Sequence, residues 1–121
     1  MKIAVTSTGK EIESKVDKSF GRAKWFLLID SETSAFEIHS NEQNLNAAQG
    51  AGIQAAQNVA KLGAKAVLTG NVGPNAFKTL SAASIRMFLI KEDITVKQAL
   101  VEWKEGKLPE ITESTIEGHW V

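Results

Sequence analysis

Ala66-Val67-Leu68-Thr69-Gly70-Asn71-Val72-Gly73-Pro74-Asn75-Ala76-Phe77 reads as a strand, a turn and the opening of a helix. The apolar start suits a buried strand that stops at Gly70. Pro74 stands where a helix start accepts it, because its missing N–H is one that a first turn leaves unpaired anyway. Ala76, Phe77, Leu80 and Ala83 then follow as an apolar stripe at helical spacing. A second strand over Ile85 to Ile90 turns this segment into a parallel crossover unit.

Upstream of this unit, a helix opens at Gly50, with Ile53, Ala56, Val59 and Ala60 on one face and Gly63 past its end as a C-cap. The polar, amide-rich residues Glu42 to Gln49 make a loop before it. Earlier still, Ile3 to Thr6 and Trp25 to Ile29 are dense strand signals, and the charged stretch Lys10 to Lys18 between them is a loop. Phe36 to Ser40 alternates apolar and polar, which places Phe36 and Ile38 inward and His39 on an exposed face. The short link Asp30 to Ser34 makes the last two strands an antiparallel hairpin. Downstream, Thr95 and Gln98 have capping-box spacing, and Val96, Ala99, Leu100 and Trp103 form the inner face of a last helix that Gly106 and Pro109 end.

The order β-β-β-α-β-α-β-α predicts an α/β fold in two or three layers. Its mixed five-stranded sheet has an antiparallel hairpin on one side, parallel crossovers on the other, and flanking helices. Residues 1–121 are expected to form one domain, with 107–121 as a C-terminal extension that includes Ile111, Ile116 and Trp120.

Hydrophobic residues are 43% and charged residues 23% of the 121 positions, an ordinary globular balance. Lys plus Arg and Asp plus Glu both number 14, so the formal charge is +0. That argues against the basic footprint of nucleic-acid binders and the basic amphipathic face of a membrane-surface helix. With no cysteine, disulfides and thiolate metal ligands are excluded. No leader-like start and no membrane-length apolar run stand out, so a cytoplasmic location is expected.

Two glycine segments are candidates for chemistry. Gly50-Ala51-Gly52-Ile53-Gln54-Ala55 matches G-x-G-x-x-A, but the preceding strand ends near Ser40, too far back for the tight turn of a dinucleotide site. Gly70-Asn71-Val72-Gly73-Pro74-Asn75 lacks the Gly-Lys-Ser/Thr of a phosphate-binding P-loop. Both nevertheless lead into helix N-termini, whose free N–H groups and partial positive charge favour anions. Arg22 adds a planar cation at the same end of the sheet. The two histidines, His39 and His119, lack metal-ligand spacing, and no catalytic nucleophile or acid–base pair stands out.

Taken in order, Ser19-Phe20-Gly21-Arg22-Ala23, Gly50-Ala51-Gly52 and Gly70-Asn71-Val72-Gly73-Pro74-Asn75-Ala76 resemble the dinitrogenase iron–molybdenum cofactor biosynthesis family, of the NifX and NifB C-terminal type. The likeness runs from Met1 to about Gly106. It implies a ribonuclease H-like fold and a non-enzymatic binding or carrier role for an anionic iron–sulfur or iron–molybdenum cofactor or its precursor. Cofactor-assembly proteins are the implied partners. The family pattern often has histidine before Phe-Gly-Arg, where this chain has Ser19. A cluster would therefore be bound non-covalently, through Arg22, Gly50, Gly52, Gly70, Gly73 and Asn75. Two rival classes are a regulatory domain binding a small anionic metabolite and a ribonuclease H-like nucleic-acid enzyme. The latter needs carboxylates clustered at strand ends, and the first strand carries none.

Overall fold

Side chains of the first strand alternate between two buried faces, which is the condition of a central strand. The computed structural model describes residues 1–41 and 51–114. β1 (Lys2–Ser7) lies antiparallel to β2 (Trp25–Asp30) on one side and parallel to β4 (Ala64–Thr69) on the other. β3 (Phe36–Ser40) extends the sheet beyond β2, and β5 (Arg86–Leu89) extends it beyond β4, giving the order β3-β2-β1-β4-β5. Three helices are described: α1 (Ala51–Lys61), α2 (Pro74–Ala82) and α3 (Val96–Lys104). The mixed sheet and the element order are those the sequence predicts.

On one face of the sheet Ala4, Phe26, Leu28, Val67 and Met87 meet α1 and α2, through Ala55, Ala56, Val59, Ala76 and Leu80. On the other, Ile3, Val5, Leu27, Ile29, Ala66, Leu68 and Phe88 meet α3 through Val96, Ala99 and Leu100. The result is three layers. β4 is buried on both faces, which explains its unbroken apolar run. Full burial of each large aliphatic side chain contributes about 1.5–3 kcal/mol.

The local signals hold at the element ends. Gly63 ends α1 at φ 85°, a backbone state that glycine adopts without steric cost. The Thr95 hydroxyl accepts from the Gln98 amide at 3.1 Å, and the Gln98 side chain accepts from the Thr95 amide at 2.9 Å. In the hairpin, the Asp30 carboxylate accepts backbone N–H groups of Glu32 and Thr33 at 2.8 and 3.2 Å, which holds it below the usual carboxylate range.

Several packing expectations change. Ile53 is half-buried and Ala55 takes an inner place on α1, because small residues let α1 approach its neighbours closely. Ala83 is the exposed C-cap of α2 and not part of its stripe. β5 is Arg86–Leu89, shorter than the run Ile85 to Ile90. Phe36 and Ile38 are 40% and 42% exposed, since the cover of α3 stops short of the edge strand. His39 is half-buried instead and bonds Glu37 at 3.0 Å. Trp103 is half-buried too, edge-on to Phe88 with ring centroids 6.2 Å apart.

Part of the predicted extension is built into the sheet. The Leu89 amide donates to the Pro109 carbonyl at 2.9 Å and the Ile111 amide to the Met87 carbonyl at 2.8 Å. Ile111 is buried beside α2, and Arg86 forks onto the Glu110 carboxylate at 2.7 and 3.1 Å. Ile116, His119 and Trp120 lie outside the described residues.

Candidate functional site

β1 and β4 are parallel neighbours whose following connections leave in opposite directions, β1 toward β2 and β4 through α2 to β5. Ligands of open α/β sheets collect beyond the carboxyl ends of strands at such a point. Both strands end here in a buried hydroxyl. Thr6 and Thr69 are fully buried, and their Oγ1 atoms hydrogen-bond at 2.8 Å. Thr6 also donates to the Asp17 carbonyl.

Those bonds anchor a loop across the strand ends. Ser19 pairs with Asn71, the Phe20 amide donates to the Asn71 carbonyl at 3.1 Å, and the Asn71 amide donates to the Lys18 carbonyl. The Asp17 carboxylate accepts from the Ser19 amide at 3.0 Å, and the Ser19 hydroxyl from the Arg22 amide at 3.2 Å. Phe20 drives the loop inward, buried against Phe26 with centroids 5.7 Å apart. From the end of β3, the fully buried Asn41 amide donates to the Gly21 and Ala23 carbonyls at 3.3 and 2.8 Å. The loop therefore holds a defined shape while presenting Lys18, Arg22 and Lys24 at the surface.

The glycines read from the sequence divide into two kinds. A Cβ on Gly21 would stand 3.0 Å from the Gly52 nitrogen, and one on Gly52 would stand 3.1 Å from the Ala76 Cβ. The loop, the start of α1 and the start of α2 are thus packed in a row with no room for side chains. At Gly70 a Cβ would lie 2.6 Å from the Lys18 Cβ and 2.7 Å from its carbonyl oxygen. Gly52 and Gly70 are required by the approach of the protein's own segments. Gly73 differs, because a Cβ there would meet nothing within 4 Å. It is the N-cap of α2, with ordinary extended backbone and no side-chain cap bond. The first-turn N–H groups of α2 consequently receive no side-chain acceptor from the cap, and the helix end carries roughly half a positive charge.

Of the residues singled out in the sequence, Gly52, Gly70 and Gly73 share this corner, and Arg22 stands in the loop that closes it. Asn75 is exposed in the first turn of α2, where its carbonyl accepts from the Thr79 hydroxyl at 3.0 Å. Gly50 lies outside the described residues. Asn41, Thr6 and Thr69 were not legible as site residues, because isolated polar residues at strand ends give no spacing signal. Among the described residues, no group of three or more His, Cys, Asp or Glu comes together as a metal site.

Residues 1–106 match the family described as dinitrogenase iron-molybdenum cofactor. The chain belongs to this family. The matched span takes in both parallel strand ends, the Arg22 loop and the starts of α1 and α2. A solved structure of the apo form of the orange protein from Desulfovibrio gigas is 41% identical, with a TM-score of 0.92 over 95% of this chain and 96% of that one. An NMR structure of a Thermotoga protein, described as a NifB candidate of the DUF35 family, is 35% identical, with a TM-score of 0.83 over 97% and 98%. Among curated proteins no significant match is found. No helix among the described residues is long and apolar enough to cross a membrane.

Proposed function

We propose that this chain is a non-enzymatic binding or carrier domain for an anionic iron–sulfur or iron–molybdenum cofactor or its precursor, held non-covalently beyond the ends of β1 and β4. The observation that carries the reading is the start of α2. Its N-cap Gly73 offers no side-chain cap, leaves open space, and adjoins a braced loop bearing Lys18, Arg22 and Lys24. Such a corner attracts an anion through backbone N–H groups and long cationic side chains.

The donor chemistry suits retention by charge and hydrogen bonds. The chain has no cysteine, and Ser19 stands before Phe20-Gly21-Arg22. Arg22 would supply charge, Gly73 close backbone approach, and Asn75 a side-chain amide, while Gly52 and Gly70 keep the walls close. That a family relative was solved in an apo form supports a removable group as cargo. The strand order β3-β2-β1-β4-β5 supports a ribonuclease H-like type of fold. We take the whole chain as one domain, working in the cytoplasm with cofactor-assembly proteins. A nucleic-acid enzyme is disfavoured by a β1 that carries no carboxylate.

Anaerobic titration tests this, with an iron–sulfur cofactor precursor as ligand and molybdate and phosphate as simpler anions. Arg22→Ala should weaken binding roughly ten- to a hundredfold, the effect of losing one charge-assisted contact, while the domain stays folded. Gly73→Val should block approach to the α2 start. Unchanged binding in both variants would place the site elsewhere. Tight binding of the simple anions but not of the precursor would favour the regulatory anion-metabolite reading.

A further inference from the structure

The two edges of the sheet are finished differently. Beyond β5, residues 109–111 run along the edge, with a proline in the run and the Arg86–Glu110 ion pair across it. β3, at the other end, has neither proline nor lysine in Phe36-Glu37-Ile38-His39-Ser40, and its one carboxylate is Glu37. Two of the most exposed large apolar residues, Phe36 and Ile38, stand on this strand.

The backbone phase of β3 follows from its pairing with β2. The Asp30 amide donates to the Ala35 carbonyl and the Asn41 amide to the Lys24 carbonyl, each at 2.9 Å. With Glu37 opposite Leu28 and His39 opposite Phe26, the residues bonded toward β2 are Ala35, Glu37, His39 and Asn41. Phe36 and Ile38 therefore turn their N–H and C=O groups to the outer edge.

We propose that a second copy of this chain pairs antiparallel along β3, about a two-fold axis through Ile38. The outward phase permits few symmetric registers, and charge selects among them. An axis at Glu37 would set the two carboxylates face to face, which is repulsive. An axis at His39 would leave Glu37 opposite Asn41. An axis at Ile38 puts Glu37 of each copy opposite His39 of the other, twice, with Ile38 across from Ile38. The Glu37–His39 pairs then fall at non-hydrogen-bonded positions, where side chains approach most closely. Ile38 and Phe36 of both copies form one apolar row on the opposite face, and the sheet becomes continuous through the dimer. The interface residues Phe36 to Ser40 include none of those proposed for the cargo site.

Sedimentation velocity of the full chain between about 10 µM and 1 mM, the range in which a small interface self-associates, tests the pairing. The wild-type chain should show a reversible dimer. Ile38→Lys, or Ile38→Thr if the lysine disturbs the strand, should leave monomer. Glu37→Lys should weaken association by removing the carboxylate that His39 faces, and His39→Glu should weaken it by about tenfold, since it sets carboxylates face to face twice. The double variant should recover it. Amide exchange at Ile38 should slow as concentration rises. A wild-type chain that stays monomeric throughout, a dimer indifferent to Ile38→Lys and Ile38→Thr, or a double variant that fails to recover would each overturn the proposal.

Discussion

Replacing Gly70 by Ala should damage this protein, while the same change at Gly73 should not. At Gly70 the new methyl would sit 2.6 Å from the Lys18 Cβ, 2.7 Å from its carbonyl oxygen and 2.8 Å from its Cα. Two of these three atoms are backbone, so rotating a side chain cannot relieve the clash. The Lys18 backbone is also tied to Asn71, and the Asn71 carbonyl in turn accepts from Phe20. Moving the loop therefore strains or breaks bonds worth about 0.5–1.5 kcal/mol each. With an overpacking cost of about 1–3 kcal/mol, the expected loss is about 2–4 kcal/mol. For a chain of this size that lowers Tm by roughly 8–16 °C. At Gly73 a methyl meets nothing within 4 Å and the backbone is ordinary, so the gain of about 0.4–1 kcal/mol from a stiffer unfolded chain is offset by alanine's poorer N-capping, and stability should stay within about 1 kcal/mol of wild type. Denaturant melts of the two variants side by side decide the matter. A Gly70→Ala protein as stable as the wild type would refute the idea that the loop and the β4 turn are locked by backbone contact.

Thr95→Ala removes the hydroxyl arm of the capping box, leaving only the backbone N–H that donates to the Gln98 side chain, and should cost about 0.5–2 kcal/mol in a denaturant melt. Trp103→Ala should cost about 1–3 kcal/mol, below the loss for a buried tryptophan, because Trp103 is half-buried and leans edge-on against Phe88. Glu110 is held below the usual carboxylate range, first by its hydrogen bond from Arg86. A depressed carboxylate contributes stability that is fully present above its unfolded pKa of about 4.3 and is lost as pH falls through the lower folded value. The stability gap between wild type and Arg86→Ala should therefore narrow below about pH 4, and NMR titration should show Glu110 moving up in the variant. A Glu110 that titrates at the ordinary value in the wild type would show that the pair is absent in solution.

Element order and type were legible because each rests on local chemistry. The Thr95–Gln98 box, the Gly63 cap, Pro74 at a first turn and the short link after Asp30 are set by neighbours within a few residues, so their spacing carries the information. The run Ala66-Val67-Leu68 already implied a strand covered on both faces. The glycine-marked starts of α1 and α2 were visible as candidates for the same reason, and Arg22 as a nearby cation. Which glycine serves which purpose was not visible. Gly52 and Gly70 are small because Ala76 and Lys18 lie against them, while Gly73 faces open space, and those neighbours are fixed by long-range contacts. Asn41 gives no sequence signal at all, since its role comes from carbonyls 18 and 20 residues away that β-pairing brings within reach. The exposure of Phe36 and Ile38 has the same origin. Alternation tells which side chains share a face of a strand, but only the assembled sheet sets how far α3 extends over that face.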